Sequence, residues 1–395
     1  MNIFITGTVG SGKSSFAKFL AKYLDPNFFE FIDLDVVGKK IVQEHNIDIP
    51  TDKNLLFSDQ MGLFYIEKKV WPHIKLPTTN KTIVIEASTF FESPKLYSKD
   101  DIIICVESDN FETNVLNRDG LNRAALINKN QISKKVKSLC ADYVVSNNSN
   151  LEDLEQKAKF LAENLNHQKT SKFQKEITFL KEEWRKNFPE LPQKLFNDLI
   201  KEYTRIDRFY HNQSHLIYLL TLFNTVAREH IFLKLWKRAI VLAIFYHDVK
   251  MKFSLEAENE FDSIEFLFNS FKEFDLLNSA TNGSRSFVTL AADMILATKN
   301  HKTNEFISCS EFGDLNFKIF LDLDMFILSD KENFLQYEEG IRKEWMNFSD
   351  SEYKIGRAKV LSSFLEKDIY QSSVFSNRNQ IAKNLIEQLI NDLRK

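Results

Sequence analysis

Residues 7–15 read GTVGSGKSS, directly after a short apolar run, Asn2–Thr6, and directly before a helix-patterned segment, Ser14–Leu24. No other stretch narrows the choice of fold as far. The spacing G-x-x-x-x-G-K-[ST] needs a strand to deliver it and a helix to receive it. Its glycines let backbone N–H groups turn inward around an anion, and the helix N-terminus adds partial positive charge. Gly7, Gly10, Ser11, Gly12, Lys13, Ser14 and Ser15 are therefore the candidate phosphate contacts. Lys13 would bridge the β- and γ-phosphates of ATP, and the Ser14 hydroxyl would help hold Mg²⁺. A glycine-rich turn that merely joins strand to helix would need neither the lysine nor the serine.

Further apolar runs follow at Phe28–Asp33, Thr82–Ala87, Asp101–Glu107 and Asp142–Ser146, with helix-patterned segments such as Asp59–Val70 between them. That rhythm predicts an α/β fold, a parallel sheet with helices on both faces. The strand signals stop after Asn150. Leu151–Asn164 reads as a closing helix, and the polar stretch NHQKTSKFQ (166–174) as a linker. Beyond it the apolar residues take helical spacing, as in Leu195, Phe196, Leu199, Ile200 and Tyr203. Two domains are expected, 1–165 and 175–395, the second all-α. A chain of 395 residues exceeds what one compact core serves, and its 10 glycines and 7 prolines favour long helices over a loop-rich sandwich.

Composition excludes more than it identifies. Hydrophobic residues at 43% and charged residues at 27% suit a soluble globular protein. A net charge of −3 without a long basic run argues against an extended nucleic-acid footprint. The first residues run directly into the strand-like NIFIT, so no cleavable leader is expected, and no apolar stretch in the sequence reaches membrane-spanning length. Cys105, Cys140 and Cys309 are widely separated and form no CxxC, as expected of thiols in the cytoplasm.

The second apolar run ends in FIDLDVVG (31–38), with carboxylates at Asp33 and Asp35. A phosphotransferase needs an acceptor for the hydroxyl that attacks the γ-phosphate, and a strand end beside the loop can provide one. Over roughly residues 1–160 the chain resembles the dephospho-CoA kinase family. The resemblance lies in GTVGSGKSS, FIDLDVVGKKIV, IEASTFFE (85–92), DIIICVES (101–108), VLNRDG (115–120) and ADYVVSNNSNLEDL (141–154). It implies ATP and Mg²⁺ as cofactors and a place in coenzyme A biosynthesis. It also implies a ribose-hydroxyl contact at Asp35 and a lid arginine, Arg118, on the ATP phosphates. The family's substrate-side Arg has no counterpart near TDKNLLFSDQ (51–60). STFFE (88–92) stands where the family has PLLFE, and Trp71–Pro72 where it has His-Pro. The ATP half of the site thus carries more of the resemblance than the acceptor half.

A second constellation lies in FYHNQSH (209–215), FYHDVK (245–250), NH (300–301) and FLDLDMFIL (320–328), with four of the eight histidines. His45, His73, His167 and His230 read as ordinary core or surface residues. His247–Asp248 offers two ligands of different reach at the end of an apolar run. Neutral imidazole plus carboxylate suits Mn²⁺, Fe²⁺, Co²⁺, Ni²⁺ or Zn²⁺ with water in the open positions. The pattern resembles the HD superfamily of metal-dependent phosphohydrolases. It runs through YTRIDRFYHNQSHL (203–216), LAIFYHD (242–248), ENEFDS (258–263), ILATKNH (295–301), FLDLDMFILS (320–329), YEEGIRKEW (337–345) and IGRAKVLSSFL (355–365).

That resemblance implies metal ligation by His215, His247, Asp248 and Asp324. Asp322, two positions away, would face differently on a helix. His211, four residues before His215, would share its helical face and would ligate, or orient a phosphate as a protonated imidazole. His301 would act as a general acid or mark a second metal. Glu260, Arg342 and Arg357 would orient ligands, bind the phosphoryl group, or form helix-to-helix salt bridges.

The expected function is bifunctional: phosphorylation of a hydroxyl on a small nucleotide-like molecule, and metal-dependent hydrolysis of a phosphate ester. Covalent linkage suggests related substrates for the two reactions. Two rivals remain. One is a hydrolase regulated by a non-catalytic ATP-binding domain, motivated by the missing Arg. The other is a nucleic-acid end-processing kinase and phosphatase, which the lack of a basic stripe disfavours. Nothing in the sequence sets the oligomeric state.

Overall fold

In the computed structural model the described residues are 1–48, 68–87, 96–98, 100–119, 132–230, 233–276, 287–301 and 311–395, without the side chains of 118, 119, 234, 235 and 311–313. The sequence motifs TDKNLLFSDQ and STFFE, most of 59–70, and Cys309 lie outside them. The chain divides into two compact units, Met1–Lys169 and Thr170–Lys395.

The first unit contains β1 (Ile3–Thr6), α1 (Lys13–Tyr23), β2 (Phe29–Asp33), α2 (Leu34–Glu44), β3 (Thr82–Glu86) and β4 (Ile102–Glu107). It continues with α3 (Phe111–Asp119), α4 (Lys134–Cys140), β5 (Tyr143–Ser146) and α5 (Leu151–His167). The strands form one sheet in the order β2-β3-β1-β4-β5. Every pairing is parallel. Near-continuous apolar strands such as Ile3–Thr6 are buried throughout, as a sheet covered on both sides requires. Phe4, Ile83, Ile85 and Ile103 pack with Leu34 and Ile41 of α2. By alternation Ile3, Ile5 and Val84 point to the opposite face. Helix α1 packs on α5 and against β1, β3 and β4. Because β1 lies between β3 and β4, the chain direction across the sheet reverses beside it. The crevice at the carboxyl ends there is where ligands bind in open α/β sheets.

The second unit is helical: α6 (Ser171–Asn187), α7 (Gln193–Tyr203), α8 (Gln213–Glu229), α9 (Leu233–Tyr246), α10 (Asn259–Glu273) and α11 (Phe287–Thr298). It ends with α12 (Glu311–Met325), α13 (Phe334–Glu344), α14 (Asp350–Leu365) and α15 (Asn379–Leu393). Ala239 to Tyr246 of α9 are all buried, so the C-terminal part of this helix is apolar on every side and lies at the centre of the unit. It packs on α11, with α8 and α12 alongside. The next two residues are His247 and Asp248, so the most deeply buried helix delivers them to the interior.

The stretch expected as a linker is mostly helix. Helix α5 continues to His167, and α6 begins at Ser171. Thr170 caps α6 by accepting from the Phe173 N–H at 3.2 Å. A Ser/Thr start signal followed by an apolar residue is what the polar composition concealed. Among the described residues no helix is long and apolar enough to cross a membrane.

Candidate functional site

Loop 7–12 turns from β1 into α1. Gly10 and Gly12 take φ 88° and 90°, the left-handed region that L side chains rarely adopt. A Cβ on Gly10 would also strike the Phe111 carbonyl oxygen and the Val115 side chain. Two asparagines hold the outer edge of the loop. Asn114 Nδ2 donates to the Gly10 carbonyl at 3.0 Å, and Asn147 Nδ2 to the Ser11 carbonyl at 2.9 Å. In a trans peptide the N–H opposes the C=O, so these contacts turn the next N–H groups to the other edge. The first helical bond runs from the Phe16 N–H to the Gly12 carbonyl, at 3.0 Å. The N–H groups before it lie outside the helix's own ladder, where an anion can use them.

Around this loop stand Lys13, buried at the first position of α1, and Ser14, whose hydroxyl donates to Oε1 of Glu86 at the end of β3. Register aligns Asp33 of β2 with Glu86. Burial raises the pKa of Glu86, against the opposing Ser14 hydrogen bond and Lys13 charge. Thr8 Oγ1, Ser11 Oγ and Glu86 Oε2 are buried without a hydrogen-bond partner among the described residues. Native interiors rarely leave such atoms unpaired, and a nucleotide phosphate with its cation would satisfy this set. Asp33 accepts from the Asp35 and Val36 N–H groups at 2.9 and 3.1 Å and so caps α2. Asp35 is exposed in the first turn of that helix.

In the second unit four ligand-type side chains meet. Nε2 of His215 lies 3.2 Å from Nε2 of His247 and 3.5 Å from Asp324 Oδ1. His247 Nε2 lies 3.0 Å from Asp248 Oδ2 and 3.5 Å from Asp324 Oδ1. His211 Nε2 approaches Asp248 at 3.9 Å, and His301 Nε2 approaches Asp324 Oδ2 at 3.2 Å. His215 comes from the first turn of α8, the His247–Asp248 pair from the end of α9, and Asp324 from the end of α12. Burial works against charge on His247, yet Asp248 and Asp324 hold its pKa well above the ordinary value. Burial, joined by the neighbouring His247, lowers that of His215. Burial likewise opposes charge on Asp324, but His215 and His247 depress its pKa well below normal. His247 Nδ1 lies 2.9 Å from the Ile244 carbonyl and can only donate there, so the neutral ring keeps its acceptor lone pair on Nε2. His215, His247 and Asp324 bring ligand atoms within 4.8 Å of one another, with Asp248 beside His247, and two imidazoles with a carboxylate fit a divalent transition metal.

The chain is similar to the dephospho-CoA kinase of Fusobacterium nucleatum, at 30% identity over 194 residues, 42% of this chain and 98% of the relative. The chain belongs to the dephospho-CoA kinase family. The Helicobacter pylori dephospho-CoA kinase is 24% identical over 182 residues, covering 38% of this chain and 91% of its own length. A solved Thermus thermophilus protein, TT1252, aligns with 39% of this chain and 92% of its own at 23% identity and a TM-score of 0.31, too low to support any argument. No protein-family model matches the chain. The family membership rests on the N-terminal part alone.

Among the residues singled out by sequence, Lys13 and Ser14 lie at one end of the sheet with Asp33. The backbone of Arg118 ends α3, and its side chain is outside the described residues. His211, His215, His247, Asp248, His301 and Asp324 are brought together. Asp322 is turned away, accepting from the Gln371 and Ser372 N–H groups at 2.7 and 2.8 Å. Burial is the main cause that pushes its pKa up to about 6. Arg342 bonds the Trp345 carbonyl at 3.1 Å, and Arg357 bonds Glu338 at 2.9 Å and the Tyr337 hydroxyl at 2.6 Å. The Arg357 contacts brace α14 on α13, whereas this Arg342 bond caps the end of its own helix, α13.

Sequence reasoning missed Glu86, Asn114 and Asn147 around the loop, and Arg208 and Glu344 around the histidines. Arg208, fully buried, donates to the carbonyls of His211 (3.0 Å), Asp248 (2.6 Å) and Val249 (2.8 Å). It thereby satisfies the chain where α9 ends. Glu86 and Glu344 did fall inside quoted motifs, but neither spacing nor pattern marks one carboxylate there above another.

Proposed function

We propose that the N-terminal unit is an ATP-dependent kinase that phosphorylates a hydroxyl of a small nucleotide-like molecule, dephospho-CoA being the first to try. The phosphate loop and its unpaired buried polar atoms carry the reading, with the family membership behind it. Loop N–H groups and Lys13 would hold the β- and γ-phosphates, and Ser14 with Glu86 would hold Mg²⁺. The bound cation and phosphates supply the charge neutralisation on which phosphoryl transfer depends. Asp35 would accept the hydrogen bond of the acceptor hydroxyl or ribose.

The C-terminal unit is proposed as an HD-type metal-dependent phosphohydrolase. The convergence of the His215, His247, Asp248 and Asp324 acceptors supports it. A divalent ion held there would supply Lewis acidity and an acidified water. The surrounding residues orient it: Ile244 fixes the His247 tautomer, and Arg208 fixes the chain at Asp248.

Two variants of the full chain test the pair. Lys13→Ala should cost at least about 100-fold in ATP-dependent phosphorylation while manganese-dependent phosphate release persists, since loop lysines act on transition-state charge. Asp324→Asn should do the reverse. Absence of phosphotransfer to any hydroxyl acceptor tried would sink the kinase. Phosphate release that is indifferent to chelators would sink the hydrolase.

A further inference from the structure

We infer that Glu344 is the positioning residue of the histidine–aspartate centre. It fixes the neutral His211 ring with its proton on Nδ1 and an acceptor lone pair on Nε2 facing Asp248. The inference rests on the proposed reading of that centre as metal-dependent.

Glu344 closes α13, and its side chain is 0% exposed. Its Oε1 accepts from three consecutive N–H groups, those of Phe209 (3.0 Å), Tyr210 (2.8 Å) and His211 (2.8 Å). An oxygen held by three donors cannot swing away, so the second oxygen has one place to be. That place is 2.7 Å from His211 Nδ1. A carboxylate offers acceptors only, so Nδ1 must provide the proton. A neutral imidazole has a single N–H, and Nε2 is then left with its lone pair.

Nε2 stands 3.9 Å from Asp248 Oδ2. Two acceptors do not bond each other. Their separation suits a shared cation, or a water donating to both. The same three backbone bonds hold the turn that leads to Asn212, whose side chain caps α8 by accepting from the Ser214 N–H at 2.9 Å. Helix α8 carries His215 in its first turn. The Tyr210 ring packs against both, its centroid 4.9 Å from that of His211 and 4.8 Å from that of His215. One carboxylate therefore sets both the ring of His211 and the approach to His215. Outer carboxylates that orient imidazoles in this manner tune metal centres.

A purely structural Glu344 would need only Oε1, and the ring would be indifferent to what occupies the other position. Glu344→Gln separates the two. Its amide oxygen can keep the three backbone bonds, while its NH₂ faces Nδ1. Donor then meets donor, and the ring must move its proton to Nε2. The measurement is a long-range ¹H–¹⁵N correlation spectrum of the metal-free, histidine-labelled full chain. Alkaline buffer keeps the ring neutral, and the His211 signals are identified by their loss in His211→Ala. The wild type should show the proton on Nδ1, and in Glu344→Gln the two nitrogen shifts should exchange. A wild-type proton on Nε2, or unchanged shifts in the variant, would overturn the inference. The underlying reading is checked separately. If manganese fails to raise the wild-type melting temperature, the metal-dependent centre falls while the tautomer result still stands.

Discussion

Nε2 of His215 and Nε2 of His247 face each other across 3.2 Å, from residues 32 positions apart in the chain. Two lone pairs at that distance repel unless a proton or a cation lies between them. Both rings are buried, so water does not dilute the repulsion. The raised pKa of His247 is the proton's solution in the absence of metal. A divalent cation is the other.

Proton and cation compete for the same lone pair, which fixes the sign of a pH effect. Because the His247 pKa is raised, competition extends upward into the neutral range. Manganese affinity should strengthen from about pH 6 to about pH 8, by up to about tenfold per unit for each proton displaced. Calorimetric titration across that range measures it. Affinity that is flat or falls with rising pH would show that the cation is not using these nitrogens.

Arg208→Met should cost about 3 kcal/mol or more. The carbonyls of His211, Asp248 and Val249 would lose a charged donor in a buried place. Methionine fills similar volume, so lost packing is not the cause. Urea unfolding of the second unit reads the change. A cost below about 1 kcal/mol would mean that these carbonyls find other donors.

The two carboxylates of LDLD should behave oppositely. Asp324→Asn should abolish the manganese-induced rise in melting temperature, because an amide is a poor ligand beside two imidazoles. Asp322→Asn should keep that rise but destabilise by about 1–3 kcal/mol, since its NH₂ would face the Gln371 or Ser372 N–H. Thermal shift with and without manganese checks both. Equal responses from the two variants would contradict their opposite placement.

Local signals explain what could be read from the chain itself. The phosphate loop is nine contiguous residues whose spacing dictates backbone shape, and β1 and α1 follow from it within a residue or two. The parallel sheet follows from alternation of strand and helix. The order β2-β3-β1-β4-β5 does not, because nothing local says which strands become neighbours. Glu344 reaches the Phe209 N–H across 135 positions, a contact that no periodicity encodes. The 166–174 stretch misled for the reverse reason, since a polar helix start and a polar linker have the same composition.

Two glycines with opposite surroundings give the last prediction. Gly356 lies inside α14, and a Cβ there meets nothing within 4 Å. Gly356→Ala should therefore stabilise the second unit by about 0.4–1 kcal/mol, through the unfolded chain's lost freedom and better helix propensity. Gly10 has φ 88°, and its added methyl would meet the Phe111 carbonyl. Gly10→Ala should cost about 1–3 kcal/mol in strain and clash. Relief would come from opening the loop, which would pull the Gly10 carbonyl from Asn114 and turn the loop N–H groups out of register. Nucleotide binding should accordingly fall further than stability alone accounts for. Urea unfolding beside ATP titration of the same samples separates the two effects. Undiminished ATP binding in Gly10→Ala would show that the loop backbone does not grip the phosphates.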